Sequence, residues 1–168
     1  MYIGMTTGRR MVALVAVAGV LGIAAAPAQA ATPKWVDLFR AINSVRAAHG
    51  LRPVAPSQRL RIAALRHSHD MLWRHYFAHT SPTGSTLMYR VITSGFVTYG
   101  QWWAGETLAW GTGTYGTPDG VVKAWMHSPE HRAILLSPRY HLVGIGRSYG
   151  TFLGNPGASV WTVDWGHR

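Results

Sequence analysis

Nine histidines and two glutamates, Glu106 and Glu130, are the side chains from which this 168-residue chain could build a metal or proton-transfer site. There is no cysteine, so thiolate ligands and disulfides are excluded, and a metal here must be held by His, Asp or Glu. His75 and His79 stand four apart, as do His127 and His131, a spacing that places two side chains on one helix face. Pro129 interrupts the second pair and the first straddles a helix end, and neither belongs to an HExxH zinc motif. Glu106 adds a third group. It sits in Trp102-Trp103-Ala104-Gly105-Glu106-Thr107, where a carboxylate is costly to bury unless it is paired. His131 falls near the third position of a helix opening at Pro129, whose positive end favours the neutral imidazole that binds metal or accepts a proton.

The elements that must position these groups can be read from periodicity and punctuation. Trp35, Leu38, Phe39, Ile42 and Val45 share one face of a helix over 33–49, closed by Gly50. Asn43 and Arg46 lie on its less apolar side and are expected to hydrogen-bond neighbouring loops. Ser57 caps a second helix running to Arg74, with Leu60, Ala63, Ala64, His67 and Met71 inward. A polar turn over 79–84 precedes a third helix at 85–94. The glycine- and aromatic-rich stretch 96–116 has no helical period and reads as short extended pieces and loops. Thr117-Pro118-Asp119 opens a helix to His127, and Pro129 starts a separate one to Leu136. Leu142, Gly144 and Gly146 alternate as a strand, and Ala158 to Trp165 is its antiparallel partner, with Asn155-Pro156-Gly157 as the turn. Helices first and strands last predict an α+β class.

Residues 1–30 have the parts of a cleavable export signal: Arg9 and Arg10, an uncharged run from Met11 to Ala26, and Ala28-Gln29-Ala30 as the cleavage site. The run is short for a membrane span. Gly8-Arg9-Arg10-Met11-Val12 matches a twin-arginine signal in part, so either export route stays open. The expected mature domain is residues 31–168, with no transmembrane segment, acting as a monomer outside the cell or in a bacterial envelope. Its 14 Lys and Arg against 6 Asp and Glu leave +8. The cations are scattered, which argues against nucleic acid and fits a solvated surface facing anionic wall polymers and phospholipids.

Motifs in fixed order then define a resemblance. Asn43-x-x-Arg46 with His49-Gly50-Leu51-Arg52-Pro53 comes first. His67 within Ala64–Met71, Tyr76-Phe77-Ala78-His79, Gly84 and Gly105-Glu106 follow. Trp125-Met126-His127-Ser128-Pro129-Glu130-His131-Arg132, Val143-Gly144-Ile145-Gly146 and Trp161-Thr162-Val163-Asp164-Trp165-Gly166 complete the series. Over residues 36–166 the chain resembles the CAP superfamily, or SCP domain, in its compact bacterial branch. The resemblance implies a three-layer α-β-α sandwich and a cleft in which His79, Glu106 and His131 match two histidines and one glutamate. Some members bind zinc there. The second glutamate is unmatched: Ser128 stands near its place, Glu130 is not assigned its role, and Thr107 replaces the usual Asn. Three readings stay open: the groups hydrogen-bond across the cleft, bind zinc reversibly through His79, Glu106 and His131, or catalyse hydrolysis of a wall or peptide substrate. Without the second acid, binding is favoured over hydrolysis. Trp102, Trp103 and Trp110 could line a groove for lipid or glycan, or simply pack the loop; Trp125, Trp161 and Trp165 fit the core, and Asp164 is read as structural.

Overall fold

The protein is described by a computed structural model over residues 32–97 and 100–168. The export signal expected at 1–30 lies outside the described residues. No helix among them is long and apolar enough to cross a membrane.

The helices fall where caps and prolines place them. They are α1 (Lys34–Ala48), α2 (Gln58–Arg74), α3 (Leu87–Thr93), α4 (Pro118–Met126) and α5 (Pro129–Leu135). The Ser57 hydroxyl accepts from the Leu60 amide, Thr86 from Tyr89 and Thr117 from Gly120, each satisfying a donor at a helix start. Pro118 and Pro129 sit at first-turn positions, where the missing amide costs nothing.

Among the described residues four strands form one sheet in the order β1-β3-β4-β2: β1 (Ala55–Pro56), β2 (Trp103–Gly111), β3 (Leu142–Phe152) and β4 (Asn155–His167). β1 runs parallel to β3, and the other pairs are antiparallel. Two expectations are corrected here. The stretch 96–116 contains a nine-residue strand, β2, followed by a short 3-10 turn at Gly113–Gly116. The hairpin turn is Leu153-Gly154 rather than Asn155-Pro156-Gly157, because Phe152 pairs with Asn155 across a two-residue loop. Leu153 and Gly154 take φ of 47° and 81°, the positive values that such a tight hairpin needs at both central residues. Asn155 secures the turn by donating from its side chain to the Leu153 carbonyl at 3.0 Å.

Helices cover both faces of the sheet, giving an α-β-α sandwich. On one face Leu38, Ile42, Val121, Val122, Trp125 and Leu135 pack on Val143, Ile145, Trp161, Val163 and Trp165. The three buried tryptophans each place their ring N–H: Trp125 on the Leu108 carbonyl, Trp161 on that of Gly116, and Trp165 on the Thr107 hydroxyl. The other face carries α2 and α3, where Leu60, Val91 and Phe96 form one cluster and Met71, Leu108, Phe152 and Val160 another. Gly144 and Gly146 let α2 lie directly on β3. A Cβ at either would come within 2.1–2.3 Å of α2 backbone atoms.

Arg46, expected on the polar side of α1, is in fact buried. It donates to the carbonyls of Arg52, Leu135 and Ser137, tying α1 to the end of α5. Asn43 exchanges two hydrogen bonds with the Val54 backbone, so both residues do bind loops as their positions predict.

Candidate functional site

Glu106 lies on β2, an edge strand, with its side chain toward the α2–α3 layer. It is 5 % exposed, and both carboxylate oxygens are engaged. One oxygen meets His79 Nδ1 at 2.6 Å, and the other accepts from Arg90 Nη2 at 2.6 Å, with His67 Nε2 3.9 Å away. Burial alone would raise its pKa. The His79 hydrogen bond and the Arg90 charge and hydrogen bond outweigh that, and the carboxyl ends below its usual value.

Arg90 is the residue that sequence reading missed. It projects from α3 and also donates to the carbonyls of Ser85 and His79, so one guanidinium ties the 79–86 turn to β2. A signal existed: Arg90 follows Leu87 by three residues and precedes Val91, on the buried face of a short helix.

His79 is presented by a braced segment. α2 stops at His75, which takes the left-handed conformation at φ 55° and turns the chain. The Tyr76 hydroxyl then donates to Asp70 at 2.6 Å, and Arg74 donates to the same carboxylate at 2.8 Å. Asp70 stays below its usual pKa: burial works to raise it, and the Tyr76 and Arg74 hydrogen bonds prevail. Buried His67 donates through Nε2 to the Ala78 carbonyl at 3.0 Å. Burial drives its pKa to about 4, so it is a neutral structural histidine.

His131 sits at the third position of α5, as expected from Pro129. Its Nδ1 meets the Ser128 hydroxyl at 2.8 Å, and its ring stacks near Trp125 at 6.4 Å. Ser128 thus anchors His131 from near the place where the unmatched glutamate was sought, while Glu130 is exposed. Burial, and then the His79 charge, lower the His131 pKa. That of His79 is raised, first by its hydrogen bond to Glu106. The two histidines are therefore pushed apart in proton affinity, His79 toward donor and His131 toward acceptor.

The tryptophans do not gather at Glu106. Trp103 and Glu106 are three apart on one strand and so project from opposite faces. Trp103 is 53 % exposed with the Arg139 guanidinium 5.3 Å from its ring. Trp102 packs against Leu60, Val91 and Phe96, and Trp110 sits edge-on to Phe152.

The metal set inferred from the family resemblance meets the same geometry. Among the described residues no three His, Asp or Glu side chains group as a set of ligands. Glu106 does not fit a direct ligand role, because Arg90 holds one oxygen and its fixed positive charge opposes a divalent ion there. The histidines fit better. Each gives Nδ1 to an oxygen, and neither Nε2 has a hydrogen-bond partner among the described residues. This is how metal-binding histidines are usually oriented, with Glu106 serving as the carboxylate behind His79.

A three-layer α+β sandwich carrying a histidine pair and a buried glutamate at its edge strand is the architecture of an SCP-type domain. Residues 39–165 match the cysteine-rich secretory protein family, CAP, and the chain belongs to that family. Over 105 residues it is 38% identical to the uncharacterized protein YkwD of Bacillus subtilis (strain 168), covering 62% of this chain and 38% of that one. The uncharacterized membrane protein YlbC of the same organism is 36% identical over 111 residues, 65% of this chain and 30% of YlbC. The chain thus spans about a third of the length of these relatives. Among solved structures, an extracellular protein containing an SCP domain from Bacillus anthracis str. Ames superposes with a TM-score of 0.63 at 28% identity. The match covers 80% of this chain and 40% of that one. An outer surface protein from Borrelia burgdorferi gives 0.64 at 24% identity over 79% and 91%, a likeness of fold.

Proposed function

We propose that the domain is an exported binding module that engages a lipid, glycan or cell-wall ligand through His79 and His131, outside the cell or in its envelope. The observation that carries this reading is the Arg90–Glu106 pair. A carboxylate held by a buried guanidinium and kept below its usual pKa is a poor general base, so the site is better built to orient His79 than to activate water. His79 offers a polarised N–H and His131 a neutral acceptor, a pairing suited to a ligand with both a hydrogen-bond acceptor and a donor. The extracellular and outer-surface descriptions of the two structural neighbours support the location.

The test is a binding screen with phospholipid vesicles, wall polymers and soluble glycans, comparing the protein with its His79→Ala/His131→Ala variant. A ligand lost in the variant supports the reading, and one bound equally by both removes it.

Zinc is the second reading, favoured by the two unpartnered Nε2 atoms. Held by His79 and His131, it would supply Lewis acidity, while Glu106 and Ser128 fix the two rings. Calorimetry with zinc decides it: one ion bound by the protein and none by the double variant would establish the pair as ligands.

A further inference from the structure

His141 and His167 stand at the end of the sheet outside the candidate site, at the start of β3 and the close of β4. Backbone pairing puts them side by side, because Leu142 pairs with Gly166 and the His141 amide donates to the Gly166 carbonyl at 3.1 Å. Their rings meet edge to face, with centroids 4.8 Å apart and the two Nδ1 atoms separated by 3.0 Å. Without a third group, such a contact needs one Nδ1 to carry the proton and the other to offer its lone pair.

We propose that His141 and His167 form a metal site of their own, a two-nitrogen chelate selective for copper(II) or nickel(II). Metal–nitrogen bonds of about 2.0–2.1 Å across a 3.0 Å gap subtend an angle of about 91–97° at the ion. That is the angle between neighbouring ligands in square-planar or tetragonal sites, which copper(II) and nickel(II) adopt. Tetrahedral zinc prefers a wider bite. The proton between the rings moves through solvent to the outward Nε2 of its own ring, so both imidazoles bind as neutral ligands and no net proton is released. His141 is exposed and His167 half-buried, which leaves the remaining positions to water. The guanidiniums of Arg139 and Arg168 lie 5.3 Å from the rings of Trp103 and Phe96.

The experiment titrates the full chain with copper(II), read by calorimetry and by electron paramagnetic resonance for nitrogen ligation. The titration is also run on the His79→Ala/His131→Ala variant, where that pair cannot take copper, and there the expected result is tight binding of one ion through two imidazole nitrogens. In that background His141→Ala and His167→Ala should each weaken it by at least about 10-fold. The corresponding asparagine variants serve if an alanine variant fails to fold. Unchanged copper affinity in the His141 and His167 variants overturns the proposal, as does loss of that binding in the His79/His131 variant.

Discussion

Glu106 and Asp164 face each other across β2 and β4, both buried on the same side of the sheet, and their carboxyls titrate in opposite directions. Glu106 is stabilised as an anion by His79 and Arg90. Asp164 has no hydrogen-bond partner for either oxygen among the described residues, and its pKa is raised well above the usual value, by burial first and then by the Glu106 charge. Two carboxylates so placed do not ionise together easily, and Arg90 decides which one does.

Asp164→Asn should therefore stabilise the domain at neutral pH. A raised folded pKa gives stability that is complete below the ordinary value of 3.8 and is lost as pH rises toward the folded value. Asparagine avoids that loss. Urea unfolding should show a gain of at least about 1 kcal/mol at pH 7 and little difference near pH 3. A loss at pH 7 would mean that Asp164 is ionised and paired in the native state.

Removing Arg90 should do the reverse. Arg90→Met leaves the buried Glu106 carboxylate without its cation and should cost about 3–5 kcal/mol at pH 7, measured by chemical denaturation. Arg90→Met combined with Glu106→Gln should recover part of that loss, since no charge is then stranded.

The His79–Glu106 pair sets a pH window. His79, with a raised pKa, contributes stability that is complete below its ordinary value of 6.5 and is lost as pH rises through its folded value. Glu106, with a lowered pKa, contributes above its ordinary 4.5 and loses that contribution as pH falls through its folded value. The pair is at full strength between these ordinary values. NMR titration should place the His79 midpoint above 6.5, and Glu106→Gln should bring it down. A His79 midpoint unchanged by that substitution would show that the hydrogen bond is not formed in solution.

Gly146→Ala tests the layer contact. Its Cβ would lie 2.3 Å from the Ala64 carbonyl carbon and oxygen in α2, and backbone cannot swing aside as a side chain can. A cost of at least about 3 kcal/mol is expected, at the upper end of ordinary overpacking. Thermal unfolding indistinguishable from that of the native sequence would show that α2 is free to shift.

What could be read along the chain was local. Ser57, Thr117, Pro118 and Pro129 define helix starts because a cap or a missing amide acts within one turn. β2 escaped for a physical reason. Helices cover both sides of the sheet, so Ala104, Leu108 and Trp110 on one face and Thr107 and Ala109 on the other show no apolar–polar contrast. The Leu153-Gly154 turn escaped as well, since nothing in a leucine announces positive φ; the pairing of β3 with β4 imposes it.

The site divides the same way. Glu106 and His131 were legible from their local setting, a carboxylate among aromatics and a histidine at a helix start, whereas His79 was singled out by the ordered motifs that resemble the CAP family. Their partners follow from packing between distant segments. Arg90 is 16 residues from Glu106 along the chain, and His79 is 27. Both reach it because α3 and the turn after α2 pack beside an edge strand. That packing converts an expected metal ligand into a buried, paired carboxylate, and leaves the outward nitrogens of two histidines to meet whatever binds.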